Sequence, residues 1–216
     1  IPLRLVGSEM CIRDRRNLDP ALDIALTTNG ALLHRHAESL FQSGLSRVTV
    51  SLDAVEKDLF RSITDSKNTP EEIFKGIETA QRIGLPVKVN CVVKNGVNES
   101  QIVPLTQACI EHKIPVRFIE FMDVGTTNNW NLDSVVSGKE MRQILRNHFG
   151  PLEPLSAEHP SDVARLWRLV DGSTVGFIES VTKPFCGDCS RARLSAHGSM
   201  YTCLLYTSDA ADDLLC

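Results

Sequence analysis

The stretch that decides the fold is residues 48–93, VTVSLDAVEKDLFRSITDSKNTPEEIFKGIETAQRIGLPVKVNCVV. It begins and ends with short runs of β-branched residues, which are typical of strands. Between the runs, Thr69 caps a helix with Pro70 at its first position, and Glu72 completes a capping box. Gly84 ends that helix. A strand, a helix and a second strand in this order predict a βαβ unit with parallel strands.

The same alternation continues on both sides of this unit. Two more strands are predicted at residues 24–28 and 116–122, and two more helices at about residues 31–42 and 99–113. Four strands that alternate with helices predict an α/β fold with a parallel sheet over about residues 20–124.

The pattern changes after residue 124. A polar loop precedes a second capping box at Ser137, and from Arg165 onward the chain has short strands separated by turn signals. We expect a small antiparallel sheet here, built from residues 166–170, 175–178, 192–195 and 200–204.

Polar residues follow the strands of the predicted parallel sheet. Ligands of such folds bind at the carboxyl ends of the strands, which directs attention to residues 27–30, 51–53, 94–96 and 122–123. Turn chemistry at 28–30 and a helix cap at Asp53 explain the same residues without any ligand.

Three cysteines near the end form a C-x2-C-x13-C set, and two arginines follow the first pair. Thiolates suit iron-sulfur clusters and zinc, and a [4Fe-4S] cluster held by three cysteines leaves one iron open. Zinc needs a fourth ligand, for which the nearest candidate, His197, lies at the predicted tip of a hairpin that points away from the cysteines. A third interpretation is unligated core cysteines. The residues concerned are Cys186, Cys189, Cys203, Arg191 and Arg193.

The composition limits which binding partners and which cellular compartment we expect for this protein. The chain has 216 residues, 42% of them hydrophobic, and a net charge of -4, without a basic stripe that would predict nucleic-acid binding. Seven cysteines, three of them clustered, favour a reducing compartment over a disulfide framework. Cys91 and Cys109 are interpreted as buried core residues. No apolar run is long enough to cross a bilayer, so we expect a cytoplasmic protein that binds neither nucleic acid nor membrane.

Both ends of the sequence look foreign to the rest. Residues 1–16 and 205–216 resemble peptides that arise when sequencing-adaptor reads are translated. We therefore predict that neither segment is native and give no meaning to Cys11 or Cys216.

Five motifs together resemble the radical S-adenosylmethionine (SAM) GTP 3',8-cyclases of molybdenum cofactor biosynthesis, the MoaA family. The resemblance covers roughly residues 17–204. The motifs are TTNG at 27–30, VSLDA at 50–54, VKVN at 87–90, FIEFM at 118–122 and FCGDCSRARL at 185–194.

The resemblance implies an incomplete TIM-like (β/α)6 barrel, of which this chain would hold about four of six parallel strands. Residues 17–124 would form the partial barrel, and residues 125–204 would form the region that binds the auxiliary cluster and GTP, with the small antiparallel sheet carrying the cluster. Family members carry one [4Fe-4S] cluster near the N-terminus and a second in the C-terminal region.

The resemblance also assigns site residues. No catalytic side chain is predicted, because cluster and SAM carry the radical chemistry. The ligands of the second cluster would be Cys186, Cys189 and Cys203, GTP would contact Thr27, Lys88, Arg191 and Arg193, and SAM would contact Ser51 and Met122.

For the parent protein, the implied reaction converts GTP to (8S)-3',8-cyclo-7,8-dihydroguanosine 5'-triphosphate through a 5'-deoxyadenosyl radical. The product would pass to the cyclic pyranopterin monophosphate synthase, and the family's homodimer would apply to the parent as well. The family's C-x3-C-x2-C and Gly-Gly-Glu-Pro motifs do not occur in this sequence. We therefore predict that this chain alone is inactive. Two alternatives stay open: another radical SAM enzyme with an auxiliary cluster, and a non-enzymatic zinc module.

Overall fold

The computed structural model describes residues 8–64, 66–122, 130–157, 162–184, 191–195 and 198–201. The chain divides into two compact units, Ile1–Cys91 with Ser100–Arg117 and Val92–Glu99 with Phe118–Cys216. The elements are α1 (Ser8–Leu18), β1 (Ala25–Thr28), α2 (Leu33–Gln42), β2 (Arg47–Ser51), α3 (Lys57–Ile63), α4 (Pro70–Arg82), β3 (Val87–Val93), α5 (Ile102–Glu111), β4 (Val116–Glu120), α6 (Gly138–Phe149), β5 (Glu153–Pro154), β6 (Arg165–Arg168), β7 (Thr174–Ile178), β8 (Arg193–Leu194) and β9 (Met200–Tyr201).

The fold is mixed α/β, with a seven-stranded sheet in the order β1-β2-β3-β4-β7-β6-β5. In the first unit, β2 pairs in parallel with β1 and with β3, as the βαβ pattern predicts. In the second unit, β6 pairs antiparallel with β5 and with β7. A separate antiparallel pair is formed by β8 and β9.

The four strands predicted after Arg165 do not form one small sheet. Strands β6 and β7 belong to the large sheet, and only β8 and β9 form the small one. The reason lies in β7, where four consecutive residues, Val175 to Ile178, are buried. A strand with both faces buried needs cover on both sides, which a small surface sheet does not give.

The predicted helix α4 provides much of the core of the first unit. Its capping box is present: the Thr69 N–H donates to Glu72 Oε2 at 2.8 Å, and the Glu72 N–H donates to Thr69 Oγ1 at 3.4 Å. Its apolar face is buried through Ile73, Phe74 and Ile77. The helix packs against α2, and its buried residues are those of the apolar face predicted from the 3.6-residue period.

In the second unit, α6 begins with the capping box predicted at Ser137, whose hydroxyl accepts the N–H of Glu140 at 3.2 Å. The core includes Phe118 and Phe177, whose rings stack with centroids 6.2 Å apart. Met141 of α6 is fully buried as well.

Two helices were not predicted. Helix α3 is short and follows β2, and α1 includes residues 8–16, which the sequence analysis set aside. That both end segments are foreign stays a prediction. Among the described residues, no helix combines the length and the apolar character needed to cross a bilayer.

Candidate functional site

Polar side chains form rows across one face of the parallel strands in the first unit. The register places Thr27 of β1 beside Thr49 of β2, and Thr49 beside Lys88 of β3. One step toward the carboxyl end, Ser51 lies beside Asn90. Side chains two residues apart in a strand share a face, so these five residues are on the same side of the sheet.

The opposite face of the same strands is apolar. Val48, Val50, Val87 and Val89 are all buried there. On the polar face, Thr27 and Ser51 are exposed and Lys88 is half-buried. The structure therefore brings together the three predicted site residues of the first unit, with their side chains on the face opposite the core.

A cavity of about 450 Å³ lies at the carboxyl ends of β1 and β2. This volume is in the range of small-molecule sites. Ser51 is the predicted site residue that lines it, together with Asn29, Phe60, Thr64, Ser66 and Lys67. The last four come from α3 and the loop after it. Sequence reasoning passed over them, although the segment between β2 and α4, in which they lie, follows the carboxyl end of a parallel strand, which was a usable signal.

The turn after β1 has the local bonding that its residue types suggest. The Gly30 N–H donates to Thr28 Oγ1 at 3.1 Å, and the Ala31 N–H donates to Asn29 Oδ1 at 3.2 Å. The interpretation of residues 28–30 as turn chemistry is therefore confirmed. Asn29 lines the cavity at the same time, because this turn forms one of its edges.

Asn90 was not predicted as a site residue. Its Oδ1 is buried and accepts no hydrogen bond among the described residues. A buried acceptor without a donor is costly, and such groups in native structures call for an explanation. A ligand hydroxyl or amine beside Ser51 would supply the donor.

The two cysteines interpreted as core residues are buried and are reduced, free thiols. Burial raises the pKa of the Cys109 thiol to about 12. The pKa of Cys91 is also raised, first by burial and then by the nearby Asp53 charge. Neither thiol is disposed to form the thiolate that a metal site needs.

The other predicted site residues belong to the second unit. Met122 lies two residues after the end of β4 and is half-buried, and Arg191 is exposed just before β8. Arg193 lies in β8 opposite Tyr201 of β9, which confirms the predicted hairpin.

The proposed metal ligands Cys186, Cys189 and Cys203 lie outside the described residues, so their role stays a prediction. Within the described part of the chain, no three His, Cys, Asp or Glu side chains are grouped as a metal site. The β8–β9 pairing does bring side by side the two chain segments that lead to Cys189 and Cys203.

Two family models match the chain in succession. Residues 5–109 match the Radical SAM superfamily, and residues 114–213 match Molybdenum Cofactor Synthesis C. The parallel strands with a polar face and a cavity at their carboxyl ends fit the first of these. The chain is thus a radical SAM protein.

Relatives make the assignment narrower. The chain is 44% identical over 214 residues to a GTP 3',8-cyclase of Xanthomonas campestris pv. campestris, covering 94% of this chain and 62% of the relative. It is 41% identical over 219 residues to a GTP 3',8-cyclase of Staphylococcus epidermidis, covering 97% of this chain and 64% of the relative. The chain belongs to the GTP 3',8-cyclase (MoaA) family, and it spans less than two thirds of the length of these curated relatives.

Among solved structures, the fold is similar to that of Streptococcus suis SuiB. The TM-score is 0.52 at 17% identity, and the match covers 65% of this chain and 32% of SuiB. At this identity the similarity concerns the fold alone.

Proposed function

We propose that the parent protein is a GTP 3',8-cyclase that catalyses the first step of molybdenum cofactor biosynthesis on a partial TIM-like barrel. The observation that carries the proposal is that Thr27, Ser51 and Lys88 share one face of the sheet, and that Ser51 lines a cavity at the strand ends, in a chain of this family. GTP and SAM would share this end of the sheet.

The residues of the first unit divide between the two ligands by their chemistry. Lys88 offers an ammonium group that suits a phosphate, and Thr27 offers a hydroxyl on the same row of the sheet. Ser51, which lines the cavity, would contact SAM, and Met122 would do so in the second unit. None of these side chains needs to move a proton; they bind and orient the two ligands.

The donor set of Cys186, Cys189 and Cys203 fits a [4Fe-4S] cluster with one open iron, because three soft thiolates match such a cluster and leave one position vacant. When bound, this cluster would supply a Lewis-acidic iron for the guanine base. Arg191 and Arg193 would hold the anionic part of the nucleotide with their rigid donor forks.

The residues of this chain do not fit the first cluster, because the C-x3-C-x2-C motif does not occur in the sequence. No step through that cluster is assigned to this chain, which we propose to be inactive by itself. The cytoplasmic location, a homodimer of the parent and transfer of the product to the cyclic pyranopterin monophosphate synthase belong to the same proposal.

Nucleotide binding tests the assignment of the polar face. Titration of a fluorescent GTP analogue into the Lys88→Met variant should give at least tenfold weaker binding than wild type, as expected for loss of a charged hydrogen bond. Lys75→Met is the matched control, because Lys75 is exposed on α4 and should leave the affinity unchanged. Equal affinities for wild type and Lys88→Met would contradict the proposal.

The two alternatives predict different results. If the parent is another radical SAM enzyme, Arg191→Ala should not weaken GTP binding. If it is the cyclase, Arg191→Ala should lower the affinity for GTP. A zinc module purified without oxygen would be colourless and contain about one zinc, whereas the cluster would make the protein brown and rich in iron and sulfide.

A further inference from the structure

The carboxyl end of β4 carries a glutamate that the sequence motifs did not explain. Glu120 is 0% exposed, although it ends a strand two residues before Met122. No basic side chain among the described residues forms an ion pair with it. A buried carboxylate without such a partner depends on hydrogen-bond donors alone.

Four donors surround this carboxylate. Its Oε2 accepts the N–H groups of Val181 and Thr182, both at 2.8 Å. Its Oε1 accepts the Gly138 N–H at 2.8 Å and the Thr182 hydroxyl. Gly138 is the first residue of α6, so the positive end of a twelve-residue helix also faces the carboxylate.

These bonds join three places in the second unit that are distant in sequence. They fix the end of β4, the start of α6 and the segment at Val181 and Thr182. Thr182 lies four residues before Cys186 in the sequence. The segment that leads to the first two cysteines is therefore held at its base by Glu120.

We propose that Glu120 is a positioning residue for the second cluster: it fixes the base of the cysteine-bearing segment and so the placement of Cys186 and Cys189. This inference rests on the proposed function of those cysteines. Both oxygens of the carboxylate accept hydrogen bonds, from donors on different elements. A side chain that carries a donor group in place of one of these oxygens therefore cannot replace the carboxylate. Glu120→Gln puts an NH2 group against at least one N–H.

The test measures how firmly the cluster is held. Each variant of the chain is reconstituted anaerobically with iron and sulfide, and the release of iron to a chelator is followed together with thermal unfolding. Thr182→Val removes one donor from Glu120 and should release iron roughly tenfold faster, with a larger effect for Glu120→Gln. Thr182→Ser restores the hydroxyl and should behave as wild type.

Thr106→Val is the matched control. The Thr106 hydroxyl donates to the Ile102 carbonyl at 2.7 Å inside α5, in the first unit, so the change also removes one hydrogen bond donated by a threonine hydroxyl. It should lower the melting temperature without faster iron release. Iron release by Thr182→Val at the wild-type rate from an iron-loaded chain would overturn the positioning role alone. A wild-type chain that takes up no iron would overturn the proposed cluster, and this role with it.

Discussion

Gly30, at the edge of the cavity, tests the packing beneath the candidate site. It has a φ of +78°, and a Cβ added to it would lie 2.9 Å from Ile73 Cγ2 and 3.0 Å from Val50 Cγ1. Gly84 has a similar φ of +83°, but no described atom lies within 4 Å of its added Cβ. The pair therefore separates the cost of backbone conformation from the cost of close packing.

The expected magnitudes follow from these two terms. An alanine in the left-handed region costs about 1 kcal/mol at either position. At Gly30 the overlap with two buried branched side chains adds about 2 kcal/mol, because the core has to shift. For a chain of this size these values correspond to a loss of about 3 °C in melting temperature for Gly84→Ala and about 9 °C for Gly30→Ala.

The assay is thermal unfolding followed by circular dichroism, repeated as urea unfolding. A secondary readout is GTP binding, which should weaken only in Gly30→Ala, since the turn that begins next to Thr27, a proposed GTP contact, has to move. Equal destabilisation of the two variants would show that Gly30 is not closely packed against α4 and β2, and the described geometry of this edge would be wrong.

Three further predictions concern stability. Thr69→Ala removes the cap of α4 and should lower the free energy of unfolding, measured in urea, by about 1 kcal/mol. The slope of this free energy against urea concentration should not change. Arg142 contacts Glu179 at 3.1 Å, and both side chains are largely buried. Arg142→Ala takes away this partner of the buried carboxylate and should lower the free energy of unfolding by about 3 kcal/mol. A much smaller loss would mean that Arg165, the other partner of Glu179, compensates. The pKa of the Cys109 thiol is near 9 in the unfolded chain and about 12 in the folded one. Its contribution to the free energy of unfolding is therefore complete below pH 9 and is lost as the pH rises toward 12, by at most about 1.4 kcal/mol per pH unit. In Cys109→Ala, the free energy of unfolding should fall less steeply with pH over this range.

The parallel part of the fold could be predicted from the sequence because several local sequence signals indicate the same elements. At α4 the cap, the proline at the first position and the apolar period all indicate the same helix, and the observed Pro70–Arg82 begins where the capping box predicts. Strand β3 was predicted at its observed bounds, Val87–Val93, because β-branched residues fill it. These features depend on residues close together in the chain.

What was not predicted depends on distant contacts. The burial of Glu120 by donors from residues 138, 181 and 182 follows from pairing that no local pattern encodes. One signal was available: Val116 and Phe118 occupy the buried face of β4, and Glu120 is the next residue of the same face. The assignment of β7 to the large sheet depends in the same way on neighbours that are remote in sequence.

We propose that Cys186, Cys189 and Cys203 hold a cluster that faces GTP. The most direct measurement is electron paramagnetic resonance of the anaerobically reconstituted and reduced chain, with iron and sulfide assays, before and after addition of GTP. We predict about four iron and four sulfide per chain, and a spectrum that changes with GTP in wild type and much less in the Arg191→Ala variant. A chain that carries zinc without iron, or a cluster spectrum that GTP leaves unchanged, would contradict this proposal.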